Sequence, residues 1–228
     1  GVHIDGGMQE YVSYPSNMIV PVPKTIPWEL VPLAEPVTIA LHSIHRARLK
    51  KGEHIAINGA GAIGILTALC AISYGAIPVL IDVVNERLEL AKSLGVEKTI
   101  NVLEQDLLET VKEMTNGRMA EVVVEASGAN SAIRNTIEMA SYAGRIALVG
   151  WPNKETPFPT DKITKKELDI YGSRTSAGEF EEAIELITGG KVNVKGILSK
   201  VISIEEVPQT VIELSEHPER YVKVTALF

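Results

Sequence analysis

Between His54 and Tyr171, short apolar runs alternate with longer stretches whose apolar residues recur at helical spacing. The runs Ile55–Asn58, Pro78–Asp82, Lys98–Asn101, Glu121–Glu125, Arg145–Val149 and Leu168–Tyr171 read as buried parallel strands, since they run on with little polar alternation. Between them, Ala62–Tyr74, Asn85–Leu94, Asp106–Thr115, Ala132–Met139 and Asp161–Lys165 carry the spacing of helices. Six strands with intervening helices predict an α/β fold built on a doubly wound, six-stranded parallel sheet.

The two flanks differ from this centre. Gly1–Leu33 holds Pro15, Pro21, Pro23, Pro27 and Pro32 around β-like pieces at Gln9–Ser13 and Ile19–Pro21. That density of turn formers predicts an irregular β layer. The tail from Gly172 to Phe228 reads as α+β, with helices at Glu179–Thr188 and Pro208–Leu214 and strands at Leu198–Ser203 and Tyr221–Leu227. It is expected to join the first 33 residues in a second layer.

Composition removes several function classes. With 45% hydrophobic and 22% charged residues in 228, the chain has the balance of a globular protein and not of a disordered one. A net charge of −7 argues against a nucleic-acid binder held by phosphate contacts. One cysteine, Cys70, allows neither an internal disulfide nor a cysteine-rich zinc module, and fits a reducing, cytoplasmic setting. The most apolar stretch, Ile55–Pro78, is broken by Gly59, Gly61, Gly64 and Gly75, so no membrane span is expected. Gly1–Glu10 does not read as a secretory signal.

Gly59-Ala60-Gly61-Ala62-Ile63-Gly64 is a G-x-G-x-x-G string. Alone the string is weak evidence, but here it follows a predicted strand and opens a predicted helix, as a dinucleotide fingerprint requires. Gly59 permits the tight turn, Gly61 lets the backbone approach a pyrophosphate, and Gly64 lets the helix pack closely on the strand. The amides of Ala62 and Ile63 would then face the phosphates at the helix N-terminus. Asp82 ends the second strand 18 residues beyond Gly64, where an acid accepts hydrogen bonds from the adenosine ribose and repels a 2′-phosphate. NAD is therefore expected over NADP. Arg87, which could accommodate such a phosphate, is expected instead to pack along the adenosine or cap the helix region. Ser127-Gly128 and Gly150-Trp151 follow the fourth and fifth strands, where a ligand's nicotinamide half would lie. Ordinary turn chemistry accounts for either pair equally well.

Other candidates have plainer readings. Glu35 before Pro36 could be a surface acid at a helix start. His42 and His45, three apart on a putative helix, could mimic a metal pair but suit packing or surface positions better. Lys165-Lys166 and the basic cluster Arg46–Lys51 read as solvated faces, and His3, His54 and His217 show no partner spacing.

Taken in order, Gly1-Val2-His3, Asp5-Gly6-Gly7 and Glu10-Tyr11, then Glu35-Pro36 with Thr38, Ala40 and His42, then Gly59–Gly64, then Glu125-Ala126-Ser127-Gly128 resemble the zinc-dependent medium-chain dehydrogenases. The nearest likeness is to their polyol, sugar-acid and threonine dehydrogenase branch, which includes sorbitol, L-idonate and galactonate-type enzymes. The resemblance implies a GroES-like β-rich catalytic domain at 1–34 and 173–228, a Rossmann NAD-binding domain at 35–172, and a zinc- and nicotinamide-holding cleft between them. It implies NAD-dependent oxidation of a secondary alcohol of a small polyol or sugar acid, and a homodimer or homotetramer. Of the family's zinc-site positions only Glu35 is present, placed to meet the metal directly or through water. The resemblance thus implies a truncated dehydrogenase, inactive by itself, with zinc in the complete enzyme only. Two alternatives are a zinc-free NADPH quinone reductase, against which Asp82 and Glu35-Pro36 argue, and a non-catalytic dinucleotide-binding module.

Overall fold

The structure, a computed structural model, describes His3 and residues 5–228. Gly1 and Val2, which open the first motif of the family resemblance, and Ile4 lie outside the described residues.

The central strands are β1 (His54–Asn58), β2 (Ile77–Asp82), β3 (Lys98–Asn101), β4 (Ala120–Glu125), β5 (Ala140–Leu148) and β6 (Asp169–Gly172). They form one sheet in the order β3-β2-β1-β4-β5-β6, every pair parallel. This is the doubly wound order whose switch point falls between β1 and β4. All six strands foreseen from the apolar runs are present, with ends shifted by no more than one residue, except that β5 starts five residues early, at Ala140.

Strand alternation sorts the core into two layers. Ile55, Ile57, Leu80, Val122 and Val124 point to one face, and Ala56, Val79, Ile81, Val123 and Ile146 to the other. The first face is covered by α1 (Ala34–Arg46), α2 (Ala62–Ser73) and α3 (Asn85–Ser93). The second is covered by α4 (Leu107–Met114), α5 (Asn130–Met139) and α6 (Thr160–Lys166). Helix α2 is apolar on nearly every side because it is wedged between the sheet and α1, and Gly64 to Ala71 are all buried.

The tail forms α7 (Phe180–Thr188), β7 (Leu198–Ser203), α8 (Val207–Glu216) and β8 (Lys223–Leu227). Strands β7 and β8 pair in parallel as a separate two-stranded sheet. Helix α7 packs on α1, and its Ala183 and Leu186 share a core cluster with β1 and α2, as do Val192, Val194 and Ile197.

Two expectations need correction. Gln9–Ser13 and Ile19–Pro21 form no strand; the first 33 residues hold only 3₁₀ turns at Ser16–Met18 and Trp28–Leu33. A strand needs a neighbour for its N–H and C=O groups, and prolines at this density remove donors and offer no continuous ladder. Lys166 is no solvated face: its ammonium donates to the carbonyls of Ile137, Glu138 and Ala140 at 2.8, 3.0 and 2.9 Å, closing the C-terminal end of α5. The basic side chains of Arg46–Lys51 are exposed, as expected, with Arg46 and Arg48 each 5.4 Å from the ring centre of Tyr171 and Arg48 paired with Asp169 on that surface.

Candidate functional site

The glycine turn sits at the carboxyl end of β1, between the end of β2 and the loop after β4. The amide of Gly59 donates to the carbonyl of Ile81 at 2.7 Å and that of Ala126 to Asn58 at 2.9 Å. Gly59 has φ +97°, and a Cβ there would stand 3.1 Å from Ser127. Its glycine identity therefore answers both backbone strain and close approach. Gly61 has an ordinary φ of −73° and nothing within 4 Å of where a Cβ would project. Gly64 is the opposite case, since a Cβ would overlap the carbonyl oxygen of Gly59. One motif thus holds a glycine that keeps space open and another that closes it.

The first turn of α2 begins at Ala62, and the first backbone bond within it runs from Ile65 to Gly61. The amides of Ala62, Ile63 and Gly64 precede that ladder, so they form the donor-rich end of the helix. Asp82 ends β2 beside this turn. Its carboxylate accepts from the amide of Ala60 at 2.5 Å through one oxygen, and from Val83 and Val84 at 2.8 and 2.9 Å through the other. A carboxylate has about four acceptor sites, so one bond to a ribose hydroxyl can be added to the three it already makes. Gly59, Asp82 and Ser127 line one cavity of about 170 Å³, walled further by Ile81, Val102 and Ala132.

The loops after β4 and β5 interlock. Glu125, fully buried at the end of β4, accepts from the hydroxyl and amide of Ser127 at 2.5 and 2.9 Å and from the amide of Gly128 at 3.1 Å. A Cβ on Gly128 (φ +72°) would stand 2.9 Å from the backbone oxygen of Trp151, and one on Gly150 would overlap Glu125 and Gly128. Ser127, Gly128, Gly150 and Trp151 are therefore brought together around one buried carboxylate. Sequence reading passed over Glu125 as a site residue, although a charged residue closing the apolar run Val122–Val124 is the signal that could have found it. Asn58 was also missed; 2% exposed, it donates to the carbonyl of Ala132 at 2.9 Å and fixes α5 against the turn.

Two predicted residues lie elsewhere. Arg87 is not among the residues lining the cavity; its guanidinium donates to the carbonyl of Pro218 at 2.9 Å and ties α3 to the turn after α8. The expectation that it caps the helix or packs on adenosine gives way to this tether, because the tail supplies an acceptor within reach. Glu35 is exposed in the first turn of α1. Among the described residues, no three His, Cys, Asp or Glu side chains are gathered in a way that could hold a metal ion. The residues present therefore do not fit a catalytic zinc, for which three protein ligands are usual.

His42 and His45 have carboxylate partners instead. His42 Nδ1 lies 2.8 Å from Glu179, and His45 lies 3.5 Å from Glu179 and 3.4 Å from Glu182. Burial alone would raise the Glu179 pKa, but the bonds from His42 and the Ala177 amide outweigh it and hold the carboxyl below its ordinary range. Cys70 is buried within α2, and desolvation drives its thiol pKa far upward, which leaves it inert. No helix among the described residues is long and apolar enough to cross a membrane.

With a doubly wound sheet, a glycine turn at its switch point and an acid closing β2, the geometry is that of a dinucleotide-binding domain. Comparison with known proteins narrows the class: residues 62–189 match the family model described as zinc-binding dehydrogenase. Over its full length the chain is 57% identical to a zinc-type alcohol dehydrogenase-like protein of Haemophilus influenzae, spanning 67% of that protein. It is 31% identical over 205 residues to a sorbitol dehydrogenase of Bacillus subtilis, covering 89% of this chain and 58% of that one. Among solved structures, an Escherichia coli alcohol dehydrogenase in complex with NADH superposes with a TM-score of 0.92 at 25% identity, covering 99% of this chain and 67% of that one. The chain belongs to the zinc-binding dehydrogenase family, and spans about two thirds or less of the length of these relatives.

Proposed function

We propose that the chain binds NAD in the crevice at the carboxyl ends of β1, β2 and β4, as the nucleotide-binding part of a zinc-type alcohol dehydrogenase. The observation that carries this reading is the paired behaviour of Gly61 and Gly64, one keeping open the approach to the α2 amides and the other seating α2 against the turn. Ala62 and Ile63 would donate to the pyrophosphate, while Asp82 would accept from the adenosine ribose and exclude a 2′-phosphate by charge. Ser127, Gly128, Gly150 and Trp151, set by Glu125, would border the nicotinamide half. When bound, the nicotinamide supplies the hydride acceptor.

The substrate class we propose is a polyol or sugar acid with a secondary alcohol, which the likeness to a sorbitol dehydrogenase supports. No step is assigned to zinc, because Glu35 has no partner ligands among the described residues. We propose accordingly that these 228 residues by themselves turn nothing over; zinc-dependent alcohol oxidation by the isolated chain would overturn this. The outer edge of β6 carries no strand partner among the described residues, which supports a homodimer or a homotetramer built from such pairs. The single, buried cysteine suits a cytoplasmic protein.

Calorimetric titration with NAD⁺ and NADP⁺, beside Asp82→Ala, tests the cofactor assignment. NAD⁺ is expected to bind more tightly, with the preference lost in the variant. Tighter binding of NADP⁺ by the unaltered chain, or binding of neither, would sink it.

A further inference from the structure

The rim beyond the dinucleotide crevice carries a cation and a hydroxyl that nothing above uses. Arg174 follows β6 by two residues and is exposed. Its guanidinium lies 5.2 Å from the ring centre of Trp151. Arg48 and Arg145 face Asp169 and Glu53, but among the described residues no carboxylate forms an ion pair with Arg174. Trp151 itself is 75% exposed, an indole that covers little of its own chain. Beside them, Ser173 is only 5% exposed and its hydroxyl has no hydrogen-bond partner. A buried hydroxyl without a partner is costly enough to ask what completes it. The next residue but one, Thr175, has φ +52°, a conformation that a threonine adopts only where its surroundings hold it.

These residues are continuous with the crevice. A Cβ on Gly59 would meet Ser127, one on Gly128 would meet the backbone of Trp151, and Trp151 carries Arg174 over its ring. The amide of Ser173 donates to Leu148 at 2.9 Å, so the turn after β6 is held against the end of β5. The trio therefore sits outside the carboxyl ends of β5 and β6, in the half of a doubly wound sheet that takes the second mononucleotide and the group reacting with it. A guanidinium lying over an aromatic ring keeps its N–H edge available, and that edge matches an anion with two oxygens.

We propose that Ser173, Arg174 and Trp151 form a subsite for an anionic group on the substrate, so that this dehydrogenase prefers an open-chain polyol bearing a carboxylate or phosphate over a neutral one. Arg174 would pair with the anion, Ser173 would bond to one of its oxygens, and Trp151 would form the apolar wall beneath. The inference rests on the dinucleotide reading only for the position of the reacting end.

The test is calorimetry on the 228-residue chain, with and without saturating NAD⁺, using D-gluconate, sorbitol 6-phosphate and sorbitol as probes. At least one anionic probe should bind about tenfold or more tightly than sorbitol, a ratio that one charge-assisted pair can supply. Which of the two it is tells carboxylate from phosphate. Arg174→Met should abolish that preference and leave NAD⁺ affinity unchanged, while Arg174→Lys should retain part of it. Equal binding of all three probes, no binding of any, or a preference that survives Arg174→Met would overturn the subsite. So would a fall in NAD⁺ affinity in Arg174→Met matching the loss of preference, which would assign the arginine to the cofactor's phosphates. If NAD⁺ fails to bind but the anionic preference stands without it, the subsite holds and the dinucleotide reading falls.

Discussion

Alanine at Gly64 and alanine at Gly61 should separate folding from binding within a single motif. At Gly64 the added Cβ would stand 2.9 Å from the carbonyl carbon of Gly59 and nearer still to its oxygen. Non-bonded carbons settle at about 3.5–4.0 Å, so clearing the carbon alone parts the start of α2 and the turn by roughly 0.6–1.1 Å, and clearing the oxygen requires more. Neither side yields easily, because both are backbone and Gly59 is itself pinned by its bond to Ile81 and its approach to Ser127. Overpacking of this kind costs about 1–3 kcal/mol, and backbone on both sides argues for the upper end. For a chain of this length about 3 kcal/mol corresponds to a fall in Tm of roughly 6–12 °C. At Gly61 the backbone suits any residue and the Cβ enters empty space. Stability should stay within about 1 kcal/mol of the parent, since a poorer helix cap opposes a stiffer unfolded chain. That empty space is the approach to the α2 amides, so NAD⁺ affinity should drop about tenfold or more. Urea unfolding followed by circular dichroism, together with NAD⁺ calorimetry, reads both quantities. The reasoning fails if Gly64→Ala unfolds at the parent's urea concentration, or if Gly61→Ala binds NAD⁺ as tightly as the parent.

Two further predictions concern groups outside the crevice. His54 is 5% exposed, and burial, then Lys98, hold its pKa below the ordinary 6.5, only partly opposed by Glu121. The unfolded chain therefore takes up this proton first, and stability should decline as pH falls below about 6.5 until the folded pKa is reached. The urea midpoint of His54→Asn should fall less steeply than the parent's between about pH 7.5 and 5.5, and equal slopes would refute the assignment. Lys166→Met removes three bonds to the end of α5 and should cost about 2 kcal/mol, while Lys165→Met should change stability by less than about 0.5 kcal/mol. Indistinguishable unfolding of the two variants would show that this cap contributes nothing.

The sheet could be read from the chain because its strands are buried on both faces. Val122 to Val124 and Ile55 to Ile57 must be apolar at every position, and such runs separated by helical spacing admit few arrangements. The glycine turn was legible for a related reason: the constraints on Gly59 and Gly64 are local, set by a strand and helix adjacent in sequence. The acid at Asp82 could be read from its place at the end of the next strand.

Other features depend on residues distant in sequence that meet only in the folded chain. Nothing near Arg87 foretells Pro218, and nothing near Lys166 foretells the carbonyls it closes at the end of α5. The proline-rich opening looked like strand because Gln9–Ser13 has the right residues, yet a strand exists only where a neighbouring edge accepts its hydrogen bonds. The cluster around Glu125 shows the same division. Its loop partners Ser127 and Gly128 are two and three residues away, but Gly150 and Trp151 arrive through β5. The sequence by itself determined the alternation of strands and helices and the glycine turn that opens α2, since these follow from local sterics and burial period. Tertiary structure alone decided which charges find partners and where the rim beyond the crevice closes, since a long-range pair forms only after the sheet has brought its ends together.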